Sequence, residues 1–325
     1  MINKVYKDEI KPIELDEKKR PIWSVMIPTY NSNDYLSHTL ESVLEQDPGS
    51  GKMQIQVVDD ASPDHDTCSL VKKVAGDRVT VYVQPRNLGL VGNFTDCIQR
   101  SKGRFVHILH GDDAVKPGFY ESNREIFEID DDIGAVINRT LYINGDGSHR
   151  TTGPALQNNA GIAPDFAQRY LNDFGVNTPA VTVRRSVYEH LGGFDKRIKK
   201  LGEDREMWSR IARYYKIGYQ PKPLAVYRIH EANLTGQIYE SGEVIHDFIQ
   251  SHKIVSEHFK NTEFDNLITL KKERIARKAI IQSAKCFLSG NSKAAKVYIK
   301  AIIQYHPSFK MPYWFIRSLI DKTYR

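Results

Sequence analysis

Phe105-Val106-His107-Ile108-Leu109-His110-Gly111-Asp112-Asp113 is an apolar, β-rich run that ends in two adjacent carboxylates. Upstream, Val57-Val58-Asp59-Asp60-Ala61-Ser62 has the same form. In an open α/β sheet, ligands bind in the crevice outside the carboxyl ends of the strands. Two such runs side by side aim four carboxylates at one crevice. Adjacent acids repel, so they need a cation, a hydrogen-bond donor or a proton. A divalent metal holding a phosphorylated substrate meets that need economically. A lone Asp at such a place reads as a helix or turn cap; the recurrence of the pair at two strand ends favours a site. Gly202-Glu203-Asp204, ahead of Trp208, adds a third acidic group. Alone it reads equally as a charge pair favoured by the dipole of a helix N-terminus.

Working outward, Trp23-Ser24-Val25-Met26-Ile27 reads as a short buried strand closed by Pro28-Thr29-Tyr30-Asn31. Helical periodicity over 37–46 places Leu40, Val43 and Leu44 on one face. A turn at 48–51 leads to a second strand at 55–58, a helix over 68–74, a third strand at 79–83, a helix over 93–101 and the fourth strand at 105–109. Strands alternating with helices predict βαβ units and a largely parallel sheet. Further on, the pattern gives a strand over 134–143, a long Gly/Asn/Thr-rich loop over 151–164, a strand and short helix within 181–191, a helix over 204–215 and a late strand over 224–229. Beyond residue 239 the pattern is all helix, with a hairpin turning at Gly290-Asn291. Trp208 reads as core or pocket wall, and His230, by itself, as a surface histidine.

The chain has 325 residues, 40% of them hydrophobic and 26% charged, the profile of an ordinary globular protein of one large or two smaller domains. No apolar run reaches the roughly 18 residues of a membrane helix, and residues 1–20 are charged without an apolar signal core. Cys68, Cys97 and Cys286 stand far apart without CxxC spacing, which argues for a reducing compartment and against zinc or disulfides. A cytoplasmic location is therefore expected. The net charge of +6 is uneven: from Glu240 onward there are 15 Lys and Arg against 8 Asp and Glu, and before it 31 against 32. Such a basic end suits an anionic membrane, a nucleic acid or a solvated helical face.

Several chemistries are excluded by spacing. Gly49-Ser50-Gly51-Lys52 lacks the flanking residues of a P-loop, with Gln46 and Met53 where Gly and Ser/Thr are needed. No GxGxxG follows the first strand, and neither HExxH nor GxSxG occurs.

Six stretches taken in order over residues 20–235 carry a resemblance: residues 24–31, 57–62, Asn87-Leu88-Gly89, 109–113, Arg184-Arg185-Ser186-Val187 with Gly192-Gly193-Phe194-Asp195, and Gly202-Glu203-Asp204. Together they resemble a family 2 inverting glycosyltransferase of the GT-A fold, of the non-processive bacterial type. The resemblance implies an α/β, Rossmann-type nucleotide-diphospho-sugar transferase domain with a mostly parallel central sheet over 20–238, and a basic helical C-terminal region over 239–325. It also implies that Pro28, Thr29, Tyr30, Asn31, Asp60, Asn87, Asp112, Glu203 and His230 bind the nucleotide-sugar. Asp60 would sit with Pro28 and Thr29 at the base, Asp112 at the ribose and His230 near the diphosphate or the metal. Asp113 would hold Mn²⁺ or Mg²⁺, and Asp204 would be the general base.

The sequence departs from the family's common pattern twice. His110 stands where an aspartate usually opens the motif, and Phe94-Thr95 stand where an Arg-Asn pair is common. The Gln-x-x-Arg-Trp signature of processive synthases is absent. The implied activity is metal-dependent transfer of one sugar to the hydroxyl of a glycan, lipid-linked glycan or other acceptor, in bacterial cell-surface polysaccharide or lipopolysaccharide assembly. Residues 151–178 are expected to help choose the acceptor. The tail, with Tyr313-Trp314-Phe315-Ile316 and Leu319-Ile320 among Lys310, Arg317 and Lys322, either docks on anionic lipid at the inner face of the plasma membrane or packs on the domain. No nucleic-acid partner is expected, because the basic surplus carries no binding motif. Two alternatives stand beside this reading: a sugar-nucleotide nucleotidyltransferase, which should carry a Gly-rich basic loop after the first strand, and a non-catalytic binding module with a decayed site.

Overall fold

A computed structural model describes residues 8–63, 66–230, 241–307 and 311–320. The first half alternates strands and helices: β1 (Trp23–Thr29), α1 (Asn33–Leu44), β2 (Met53–Asp59), α2 (Thr67–Ala75), β3 (Thr80–Val83), α3 (Gly89–Arg100), β4 (Phe105–Ile108), β5 (Ala114–Val115) and α4 (Phe119–Phe127). There follow β6 (Ile133–Asn144), β7 (His149–Thr152), β8 (Gly161–Ile162), α5 (Phe166–Leu171), β9 (Val181–Arg184), α6 (Arg185–Leu191), α7 (Glu203–Tyr214) and β10 (Lys216–Ile229). The chain continues as α8 (Val244–Phe259), α9 (Asp265–Leu288), α10 (Ser292–Tyr305) and α11 (Met311–Ile320).

One sheet runs in the order β3-β2-β1-β4-β9-β6-β10-β5, with β7 paired to β6 and β8 to β10. The block β3-β2-β1-β4 is parallel, as the alternation predicts. Beyond it the sheet is mixed: β9 lies antiparallel between β4 and β6, β10 runs parallel to β6, and β5 closes the order antiparallel to β10. The direction of β9 was not legible because a short apolar strand carries the same residues either way round.

Alternate residues of the central strands serve opposite faces, and both faces are covered. Met26, Val58, Val106 and Ile108 pack under α3, α6 and α7, against Phe94, Leu191, Met207 and Trp208. Val25, Ile27, Val57 and Phe105 face α1, α2 and α4, against Leu40, Val71, Tyr120 and Phe127. Continuous apolar strands with helices on both sides are the signature of a buried sheet.

Two local differences from the sequence reading have physical causes. β10 begins at Lys216, eight residues before the expected start, because Pro221 and Pro223 disguise a strand. The structure absorbs them in a register irregularity between Gln220 and Ala225. The stretch expected as a long loop takes in the end of β7 and all of β8; β7 is polar and exposed, so it lacks the period-2 apolar signal.

The C-terminal helices form their own core from Ile245, Ile249, Ile280, Cys286, Tyr298 and Ile302. They also share a small apolar cluster with the α/β part, where Val255, Phe259 and Ile268 meet Leu171. Trp314 and Phe315 pack inward on this region, whereas Tyr313 and Ile316 are exposed. Lys310 and Lys322 of the expected membrane-facing stretch lie outside the described residues, as do the side chains of Leu319 and Ile320. Among the described residues no helix is long and apolar enough to cross a membrane.

Candidate functional site

Parallel register brings the two acidic strand ends together. Thr29 of β1 pairs with Asp59 of β2, and Met26 pairs with Ile108 of β4, so the residues after all three strands emerge on one edge of the sheet. There they line a cleft of about 1720 Å³, which includes Pro28, Thr29, Tyr30, Asn31, Asp60, Asn87, Asp112, Glu203, Asp204 and His230. Of the expected site residues only Asp113 is not in the lining; it lies just beneath, with 1% of its side chain exposed.

Asp60 organises one side. Its carboxylate accepts from the amides of Leu88 (2.7 Å) and Gly89 (2.9 Å), and Asn87 Oδ1 accepts from the Gly89 amide as well. The Asn-x-Gly turn is thus fixed to the end of β2. Burial pushes the Asp60 carboxyl up, against these two donors. The Asn31 amide donates to Ser62 Oγ, which in turn donates to Asp59 Oδ1, tying the loop after β1 to the loop after β2.

The floor is built by His110, Asp112 and Asp113, with one ligand atom from each lying within 4.8 Å of the others. Asp113 Oδ1 accepts from the Arg228 amide at 2.9 Å. Asp113 Oδ2 faces His110 Nδ1 at 3.3 Å and, like His110 Nε2, is buried with no hydrogen-bond partner among the described residues. Burial and then the Asp112 charge push Asp113 up to about 6. Burial alone would lower the His110 imidazole, but Asp113, then Asp112 and Asp204, outweigh it and hold it above its usual value. Asp112 is likewise pulled below the usual carboxylate range despite burial, by His230 and His110. A buried carboxylate oxygen without a donor, beside a second carboxylate and an imidazole, suits a divalent cation, so the residues present fit the metal that the resemblance implies.

Arg228, on β10, supplies support that sequence reasoning did not single out. The Arg228 guanidinium donates to the carbonyls of Asp112 (3.0 Å) and Gly145 (3.0 Å) and lies over the Tyr35 ring. His230 Nε2 sits 3.1 Å from Asp112 Oδ2, with its ring against Tyr35. The two departures from the family's common pattern touch each other: Phe94 stacks on His110, centroids 5.2 Å apart.

Opposite, α7 starts at Gly202, whose φ of +93° lets the chain turn sharply into the helix. Glu203 and Asp204 occupy its first turn, and Asp204 looks into the cleft. Burial raises the Asp204 carboxyl against the pull of Arg205, and raises Glu203 further with help from Asp204. The helix is anchored by the fully buried Glu206–Arg210 pair at 2.8 Å, which His258 of α8 joins at 2.9 Å. Trp208 is core.

The sequence profile of Glycosyl transferase family 2 matches residues 24–192, about half of the chain. An uncharacterized glycosyltransferase of Nostoc sp. is 29% identical over 216 residues, 65% of this chain and 65% of its own length. The succinoglycan biosynthesis protein ExoO of Rhizobium meliloti is 27% identical over 228 residues, 67% of this chain and 63% of its own. The matched stretch thus spans less than two thirds of either relative. In three dimensions, the crystal structure of S. aureus TarS 1-349 in complex with UDP-GlcNAc superposes with a TM-score of 0.64 at 17% identity, covering 91% of this chain and 89% of that one, a likeness of fold. With the cleft, its acidic floor and the profile match in agreement, the chain belongs to glycosyl transferase family 2.

Proposed function

We propose that this chain is an inverting, metal-dependent glycosyltransferase that moves a single sugar from a nucleotide-diphosphate sugar to an acceptor hydroxyl in bacterial cell-surface polysaccharide assembly. The observation that carries the reading is the convergence of Asp60, His110, Asp112 and Asp204 on one cleft, with Asp113 just beneath its floor. Names of relatives, such as succinoglycan biosynthesis protein, support the polysaccharide setting. Residues 20–238 would form the transferase unit, and 239–325 the helical region that braces α7.

In this reading Pro28, Thr29, Tyr30 and Asn31, with Asp60 and the turn at Asn87, hold the nucleoside, and Asp112 takes the ribose. Asp113, with His110 and Asp112, would hold Mn²⁺ or Mg²⁺, whose charge neutralises the departing diphosphate. His230 orients Asp112 from the diphosphate side. Asp204 accepts the proton of the acceptor hydroxyl as the oxygen attacks the anomeric carbon. The bond from that carbon to the diphosphate oxygen breaks on the opposite face, and the configuration inverts. A base works best when its pKa lies near the working pH, and the burial that raises Asp204 moves it in that direction. Glu203 stands beside Asp204 in the same first turn, and the Asp204 charge adds to burial in raising the Glu203 carboxyl. Exposed Tyr313 and Ile316 beside Arg317 support peripheral contact with anionic lipid.

The test is calorimetry with UDP, GDP, CDP and dTDP, each with and without Mn²⁺. Metal-dependent binding of one nucleotide, lost in Asp113→Ala, is expected; a folded protein that binds none would overturn the reading. The anomeric proton coupling of the product then reports the stereochemistry.

A further inference from the structure

The cleft continues past Asp204 to a wall built jointly by the α/β part and the C-terminal helices. Arg205 of α7, Asp173 after α5, and Phe248 and Lys271 of α8 and α9 all line it. Around Asp173 the cations outnumber the carboxylate, although Arg205 also faces the charge of Asp204. Three cations share the single carboxylate of Asp173: Lys278 at 2.9 Å, Lys271 at 3.7 Å and Arg205 at 4.0 Å. Asp173 holds this position at φ +72°, a strained value for a non-glycine residue.

Lys271 is the residue that needs explaining. It is only 2% exposed, in a helix whose other lysines could be read as a solvated face. Its ammonium has three donors, yet the Tyr170 carbonyl, at 3.3 Å, is its one hydrogen-bond acceptor among the described residues. Burial, then the Arg205 charge, lowers it to about 8. An ammonium buried with so little compensation is costly. An oxyanion entering the cleft between Lys271 and Arg205 would offset that cost and the local positive surplus together.

We propose that this wall binds an anionic group of the acceptor, a phosphate ester or a carboxylate, close to the hydroxyl that faces Asp204. The proposal rests on the reading of Asp204 as the base on the acceptor side. It makes the C-terminal helices part of the substrate site through Lys271. Acceptors carrying negative charge are then preferred over neutral sugars, with Phe248 and Tyr170 offering apolar surface to the rest of the molecule.

The experiment is calorimetry on the full chain saturated with its nucleoside diphosphate and Mn²⁺, so that the donor site is filled. The probes are glycerol 3-phosphate and glucuronate, with glycerol and glucose as neutral counterparts. At least one charged probe should bind where its neutral counterpart does not, and which one binds tells phosphate from carboxylate. Lys271→Met should weaken it about tenfold or more, the scale of one charge-assisted contact, and Lys271→Arg should retain most of the affinity. Nucleotide affinity should stay unchanged in both. Should Lys271→Met fail to fold, Arg205→Gln at the cleft surface gives the same comparison. Charged and neutral probes behaving alike, or equal affinities in wild type and both charge-removing variants, would overturn the proposal while leaving the donor reading intact. A failure of every nucleotide to bind would instead sink the donor reading, and the same titrations on the bare protein would still decide the anionic wall.

Discussion

Ser251 Oγ donates to the Gly202 carbonyl at 2.8 Å, so a residue of α8 holds the turn from which the helix bearing Asp204 begins. Gly202 has φ +93°, and a Cβ there would stand 3.2 Å from the Ser251 Cβ. Gly202→Ala is therefore expected to cost about 1–3 kcal/mol of stability through backbone strain, and to lower turnover more than nucleotide affinity. Ser251→Ala should cost about 1 kcal/mol, the worth of one hydrogen bond. Thermal melts and steady-state kinetics of the two variants check the order; Gly202→Ala with wild-type melting and turnover would contradict it.

Removing the proposed base without changing its shape separates chemistry from binding. Asp204→Asn should reduce the transfer rate by about 10²–10⁴-fold, the usual contribution of general base catalysis, while nucleotide affinity stays within about twofold. Full activity in this variant would return attention to a non-catalytic binding module.

Asp113→Asn keeps an oxygen for the Arg228 amide but removes the charge beneath the cleft floor. Mn²⁺-dependent nucleotide binding should fall at least about tenfold, with metal-independent binding little changed. Because burial and Asp112 push Asp113 up to about 6, a proton competes with the cation as pH falls through that value. Metal affinity measured from pH 7.5 to 5 should decline accordingly, and a flat profile would argue against Asp113 as the ligand.

Acid stability should follow two buried imidazoles. Burial lowers both His107 and His252 to about 4. Below pH 6.5 the unfolded chain takes up protons that these folded groups refuse, so the unfolded state binds more protons and stability falls with pH. The loss should be spread between pH 6.5 and 4 and be on the order of 3 kcal/mol for each group at most. His107→Gln should lower stability at pH 7, because His107 bonds the Pro179 carbonyl and Tyr120, yet flatten the acid slope. Below about pH 4.5 a further loss is expected from Glu206. Burial would raise its carboxyl, but Arg210 and His258 outweigh it and hold it down at about 2; it favours folding only while ionised.

The parallel block and the acidic strand ends were legible because an apolar run closed by Asp-Asp is both a strand signal and a chemical signal. Asp60, Asp112 and Asp204 stand at one cleft as the sequence implied. Arg228 was not legible as a support for the floor, because its role depends on β10 being carried past β5 by long-range pairing. His110 read as a departure from a pattern, and only the packing of Phe94 against it shows that the two departures are one local arrangement. Lys271 is one basic residue among 15 in the C-terminal stretch, and periodicity cannot say which of them turns inward.

The apolar contact of Val255, Phe259 and Ile268 with Leu171, together with the His258–Glu206 link, makes the two ends of the chain mutually dependent. A shorter chain ending near residue 238 would not be a smaller enzyme but an incomplete one, with the turn into α7 stripped of its Ser251 donor and the buried Glu206 carboxylate missing one partner.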